Sequence, residues 1–172
     1  MAKQSALHHW AAQAGASFTD HHGWQMPARF LNAKEEAARV AHSAGITDVS
    51  WMSKFMGLRN VVSNLAGAHT RDVTSVFAQF LLAGPRSREI LSKLTSLNVS
   101  DPVFPNSESR QTSLAHVHCT ILRKDLCALP AFHLLVGRDY GESAWESILH
   151  AGHEFHLSPF GLEALSILEA EA

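Results

Sequence analysis

The sequence predicts an α+β fold: a split βαβ, ferredoxin-like unit, with an antiparallel sheet carrying helices on one face, preceded by an N-terminal helical arm. Three observations carry that expectation. From residue 71 onward, strand-like and helix-like segments follow in the order β-α-β-β-α. Helical periodicity recurs twice before that, around residues 3–14 and 32–43. The composition, 46% hydrophobic and 17% charged over 172 residues, is that of a globular chain. Such a chain buries roughly 70% of the surface its unfolded form exposes.

Residues 3–14 bring Leu7, Trp10, Ala11 and Ala14 to one side and read as a short amphipathic helix. Gly15, the DHHG run at 20–23 and Pro27 mark a loop-rich stretch. Residues 32–43, NAKEEAARVAHS, read as a second helix. Asn32 can cap it, Glu35 and Glu36 suit the positive first turn, and Gly45 is a C-cap candidate. A short strand follows from Ile46 to Val49, residues 56–62 alternate as another, and 63–70 read as loop. The VTSVFAQFLL segment has strand character that Gly84-Pro85 breaks, and a helix over 87–95 follows. After a Pro- and Ser-rich loop at 101–109, residues 111–122 and 131–136 read as strands. Residues 141–153 and 161–171 read as helices.

Fourteen basic and sixteen acidic residues give a formal net charge of −2. Without a clustered basic surface, the sequence gives no case for nucleic acid or an anionic membrane as partner. No apolar run approaches the length of a membrane span, and the N-terminus lacks a signal-peptide pattern. Cys119 and Cys127 lack CxxC spacing and suit a reducing compartment, so a cytoplasmic location is expected.

The chain has twelve histidines. His150, His153 and His156 stand three apart, but Gly152 weakens a helix there and no HExxH or Cys/His pattern accompanies them. Surface histidines, not a metal site, are expected. His116 and His118 are expected on one face of the 111–122 strand. Gly84-Pro85-Arg86-Ser87 reads as a tight strand-to-helix turn, since one glycine is too few for a phosphate loop. Trp10, Trp24 and Trp51 fall in the first third beside Met26, Met52 and Met56. Ring faces and thioethers can sandwich a flat heterocycle, or simply make the core of the arm. Composition leaves both open.

Three stretches resemble one family. HHGWQMP, residues 21–27, resembles the GGW-x-MP turn of glycine-cleavage T-proteins (aminomethyltransferases), and AGITDVSWM, residues 44–52, resembles their AG-hydrophobic-x-DVS-x-M signature. That signature's methionine lines the family's pterin pocket and maps to Met52. Residues 71–123 are similar both to the family's GP-x-(A/S)-R-E-(I/V)-L helix entry and to the FP…QT-x-LA segment of the sarcosine oxidase gamma subunit. GLEALSILEAEA, residues 161–172, resembles GLEAL-x-x-LR(L/I)E-x-G, whose last glutamate hydrogen-bonds the pterin and maps to Glu171. The resemblance implies the fold of the T-protein folate-binding domain, with a T-protein-like segment at 1–62 and a gamma-subunit-like α+β segment at 63–172 in one compact domain. It implies tetrahydrofolate as cofactor, bound by Met52, Glu171 and Trp24.

The departures matter as much. Complete enzymes carry a GG-x-x-DD hairpin after DVS-x-M, which supplies the aspartate for one-carbon transfer. Residues 53–70, SKFMGLRNVVSNLAGAHT, contain no aspartate, no GG-x-x-DD occurs anywhere, and Glu169 stands where the family has arginine. Losing the carboxylate that positions the amine costs several orders of magnitude in rate. The resemblance therefore implies no catalytic residue and no metal ligand here. It points to a small subunit of a sarcosine/dimethylglycine-type amine oxidase or demethylase complex, packed on a larger flavin-containing subunit or self-associated. A tetrahydrofolate-dependent aminomethyltransferase of reduced size is the alternative.

Overall fold

The FAQFLLA and AFHLLVG segments are apolar at nearly every position, so both can lie in a sheet covered on its two faces. The structure is a computed structural model that describes residues 2–56, 61–63 and 71–170. In chain order the elements are β1 (Lys3–Gln4), α1 (His8–Gln13), β2 (Ser17–His21), β3 (Trp24–Arg29), α2 (Ala33–His42), β4 (Gly45–Asp48), β5 (Lys54–Met56), β6 (Val61–Ser63) and β7 (Arg71–Asp72). Then come β8 (Phe77–Ala83), α3 (Ser87–Ser92), β9 (Ser109–Leu114), β10 (Val117–Arg123), β11 (Ala131–Gly137), α4 (Gly141–Gly152), β12 (Ser158–Pro159) and α5 (Leu162–Ala170).

The main sheet has the order β12-β4-β8-β11-β10-β9, antiparallel except where β12 lies parallel to β4. β8 and β10 run parallel with the antiparallel β11 between them, as in a split βαβ unit, whereas the β11–α4–β12 crossover spans two strands, β8 and β4. The mixed α+β architecture read from the sequence is thus the one observed. Phe80 and Leu82 of β8, with Phe132, Leu134 and Val136 of β11, face α3 and α4, and Trp145 packs edge-on to Phe80 and Trp10. Leu81, Ala83 and Ala131 face the other way, under α2, α5 and the Trp24–Met26 side of β3. A second helical layer therefore covers the sheet face opposite α3 and α4.

Several local expectations shift. The stretch read as loop at 15–27 is a β2–β3 hairpin whose turn places His22 and Gly23 at positive φ, with Asp20 Oδ1 accepting from the Gly23 N–H at 3.1 Å. Residues 111–122 are not one strand. Ala115 and His116, at φ 47° and 69°, turn the chain between β9 and β10, so His116 and His118 share no strand face. Asn32 caps α2 as expected, accepting from Lys34 N at 3.0 Å, whereas Ser43 ends that helix and Gly45 opens β4. His150 lies in α4, His153 in a 3-10 turn and His156 in the left-handed region beyond it, so they line no common helix face. The strand expected at 56–62 is represented by β5 and β6, and part of that range lies outside the described residues.

Two features fix the second layer. The buried Glu36 carboxylate accepts from Phe30 N and Leu31 N through Oε1, at 2.7 and 2.6 Å, and from Gly161 N through Oε2, at 2.8 Å. One side chain thereby joins the end of β3, α2 and the entry to α5. Gly84, at φ +116°, carries the chain from β8 to α3 against the backbone of α2's last turn. A Cβ there would lie 2.6 Å from the carbonyl oxygens of Val40 and Ser43.

Candidate functional site

A strand buried on both faces gains nothing from polar side chains unless they are partnered. On the α2/α5 face of the main sheet, Gln79 of β8 and His133 of β11 stand beside the apolar Leu81, Ala83 and Ala131. Both are buried, and Gln79 Nε2 stands 2.9 Å from His133 Nδ1 and 3.8 Å from the Met52 sulfur. Burial pushes the His133 imidazole down to about 4, with the charges of Lys124 and Lys54 acting in the same direction. This histidine is neutral at physiological pH.

The turn after β4 is shaped from beneath. Asp48 Oδ1 accepts from Ser50 N at 2.9 Å, and the Gln79 N–H donates to Ser50 Oγ at 3.1 Å. Lys54 is fully buried, and its ammonium donates to the carbonyls of Ser50 and Met52 at 3.0 and 2.7 Å. Burial lowers its pKa to about 8 against the pull of Asp48 and Asp72, while burial raises Asp48 against hydrogen bonds from Ser5 and Ser50 and the Lys54 charge. Lys54 thus closes residues 50–52 into one conformation, and that conformation presents Trp51 and Met52.

Around them lies a hollow of about 330 Å³ lined by Lys3, His22, Trp24, Trp51, Met52, Ser53, Asp72 and Thr74. His22 stacks on Trp51 at 5.0 Å and 15°, and His21 meets the same indole edge-on at 4.3 Å. The Lys3 ammonium sits 5.5 Å over the Trp24 ring. Asp72 Oδ1 accepts from Thr74 N and Oγ1, which hold its carboxyl below the ordinary range. Met52 also lines a second, smaller chamber of about 70 Å³ with Val49, Leu81, His133, Leu165 and Glu169. A larger surface depression of about 1010 Å³, bordered by Lys93, Glu146, His150 and Glu154, shares no residue with either.

Of the residues the sequence nominated, Trp24 and Met52 converge on one hollow, from β3 and the post-β4 turn. Glu171 lies outside the described residues; Glu169, the penultimate residue of α5, reaches the smaller chamber. Trp51 was raised only as one of several aromatics that could flank a flat ring or form the core, and Lys54, Gln79 and His133 were not singled out by the sequence. The one signal that could have found Gln79 and His133 is a polar residue inside each of two otherwise continuous apolar runs. Among the described residues no cluster of three or more His, Cys, Asp or Glu could hold a metal ion.

Residues 57–172 match the family model described as the GCVT N-terminal domain. The chain belongs to the GCVT N-terminal domain family. Among relatives of this GCVT chain, the sarcosine oxidase subunit alpha of Rhizobium meliloti (strain 1021) is 35% identical over 101 residues, which are 58% of this chain and 10% of that protein. The chain therefore spans about a tenth of that relative's length. Two solved structures share the GCVT chain's fold. The glycine cleavage system aminomethyltransferase T of Bartonella henselae superposes with a TM-score of 0.71 at 17% identity, over 100% of this chain and 63% of that one. A chain of heterotetrameric sarcosine oxidase from Corynebacterium sp. U-96 superposes with a TM-score of 0.57 at 16% identity, over 89% of this chain and 96% of that one.

Proposed function

We propose that this chain is a folate-binding small subunit of a sarcosine/dimethylglycine-type amine oxidase or demethylase complex, acting in the cytoplasm and not catalytic alone. The observation that carries the reading is the convergence of Trp24 and Met52, nominated separately by family motifs, on one aromatic-walled hollow. Its residues suit a pterin. The indoles and the Met52 thioether offer flat, polarisable walls, Asp72 can accept from an exocyclic amine, and Lys3 can donate to a ring oxygen. A volume near 330 Å³ is at the low end of the range of about 300–1,000 Å³ for ligand pockets, so a ring system fits and a polyglutamate tail would lie outside. Bound tetrahydrofolate would supply an acceptor for a one-carbon unit. Trp24, Trp51 and Met52 would bind and shield it, and Glu171 is the residue assigned to its amino-oxo edge.

The absence of an aspartate from residues 53–70 and of any GG-x-x-DD run favours a subunit that borrows its chemistry from a larger flavin-containing partner. The superposition, which covers 96% of the matched sarcosine oxidase chain, supports the same reading and a role like that of the gamma subunit. Superposition of 100% of this chain on 63% of the aminomethyltransferase structure favours the second reading, a tetrahydrofolate-dependent aminomethyltransferase of reduced size. Calorimetric titration with 5-formyltetrahydrofolate tests the binding, and co-expression with flavin oxidase subunits followed by size exclusion tests the assembly. Absence of heat at high micromolar ligand overturns the first, and a monomer indifferent to every such subunit overturns the second.

A further inference from the structure

The Gln79–His133 pair occupies a place where the sheet's packing calls for two apolar side chains. Gln79 opposes Leu135 across the β8–β11 ladder and His133 opposes Leu81, so the pair meets diagonally on the α5-covered face. The Gln79 amide nitrogen has two acceptor neighbours, His133 Nδ1 and the Met52 sulfur, which match its two protons. With the amide so oriented, Nδ1 accepts from it and is the unprotonated nitrogen. The proton of the neutral imidazole then sits on Nε2. Among the described residues no group takes that Nε2–H, while His133 lines the 70 Å³ chamber beside Met52. Gln79 Oε1, buried beside it, also has no partner among the described residues.

We propose that His133 is a further ligand-binding residue of this cleft, its Nε2–H donating to a hydrogen-bond acceptor on the edge of a flat heterocycle that enters the chamber past Met52, with Gln79 as the residue that positions it. This rests on the folate-binding reading above. The chamber's size admits one ring edge and not a whole bicycle. Its buried walls, Val49, Leu81 and Leu165, are apolar, so among the buried lining residues the imidazole N–H is the directional contact and discriminates an oxo or ring-nitrogen edge from a donor edge. Met52 borders both chambers, and its unbranched side chain can swing to join them. Lys124, Asp125 and Glu169 stand among the chamber's charged lining residues.

The test combines calorimetry with 5-formyltetrahydrofolate and long-range ¹H–¹⁵N spectra of the histidine rings. In the wild-type chain His133 should show the Nε2–H tautomer, and its Nε2 resonance should move on adding ligand. His133→Phe should weaken binding by about tenfold, the weight of one buried hydrogen bond, and Gln79→Leu should weaken it less while mixing the tautomers. Wild-type binding with unchanged affinity in a folded His133→Phe overturns this inference and leaves the folate reading standing. An Nδ1–H tautomer in the wild-type chain does the same, even where His133→Phe does not fold. No wild-type binding overturns the folate reading, and this inference falls with it.

Discussion

Replacing Glu36 separates packing from hydrogen bonding at the joint that holds α5 over the cleft. Three backbone N–H groups converge on this carboxylate, those of Phe30 and Leu31 on one oxygen and that of Gly161 on the other. Glu36→Ala leaves all three without their acceptor. A hydrogen bond to a charged group contributes roughly 1.5–3 kcal/mol, and a buried unsatisfied donor costs about 1–3. The Phe30 and Leu31 groups are part-buried and regain water, whereas the Gly161 contact is buried, so the expected loss is about 4 kcal/mol. Glu36→Gln keeps the shape. Its carbonyl can serve Phe30 and Leu31, but its NH₂ then faces the Gly161 N–H, donor against donor, and about 2 kcal/mol is lost. Against a typical total of about 5–15 kcal/mol, the alanine variant stands near the edge of folding while the glutamine variant stays folded. Urea unfolding measures both, with an unchanged m-value showing that the transition still exposes the same surface. An alanine variant within about 1 kcal/mol of wild type, or a glutamine variant as damaged as the alanine one, would refute the reasoning.

Stability should fall as pH drops. The folded state holds His133 neutral with a pKa of about 4 against the ordinary 6.5, so between those values the unfolded chain binds the extra proton and gains on the native one. That limb amounts to about 3 kcal/mol at most, and His133→Phe should flatten it in melting curves taken from pH 7 to 4. Gly84→Ala forces a side chain into positive φ and against two carbonyl oxygens, and should lower stability by at least about 2 kcal/mol in urea unfolding. Native-state alkylation at pH 8 should label the exposed Cys127 and spare Cys119, whose buried thiol is pushed up to about 12; mass spectrometry of the peptides decides, and equal labelling of both would contradict the fold.

The sequence by itself determined the mixed α+β class, the capped helix at Asn32, and the nomination of Trp24 and Met52, because these are local: period, cap and motif are written in neighbouring residues. It did not determine the two hairpin turns. His22-Gly23 and Ala115-His116 take left-handed backbone without the Asn-Gly or Asp-Gly pairs that announce such turns, so the strands beside them read as loop or as one longer strand. Nor could it place Lys54, Gln79 and His133. The Lys54 ammonium ties the nearby carbonyls of Ser50 and Met52 only once tertiary packing has buried it, and Gln79 reaches a histidine 54 residues away on the neighbouring strand. Only tertiary structure decided that Met52 borders both the Trp24 hollow and the smaller chamber lined by His133. The physical reason is the sheet pairing of β8 with β11 and the seating of α5 through Glu36, which bring distant residues to one face.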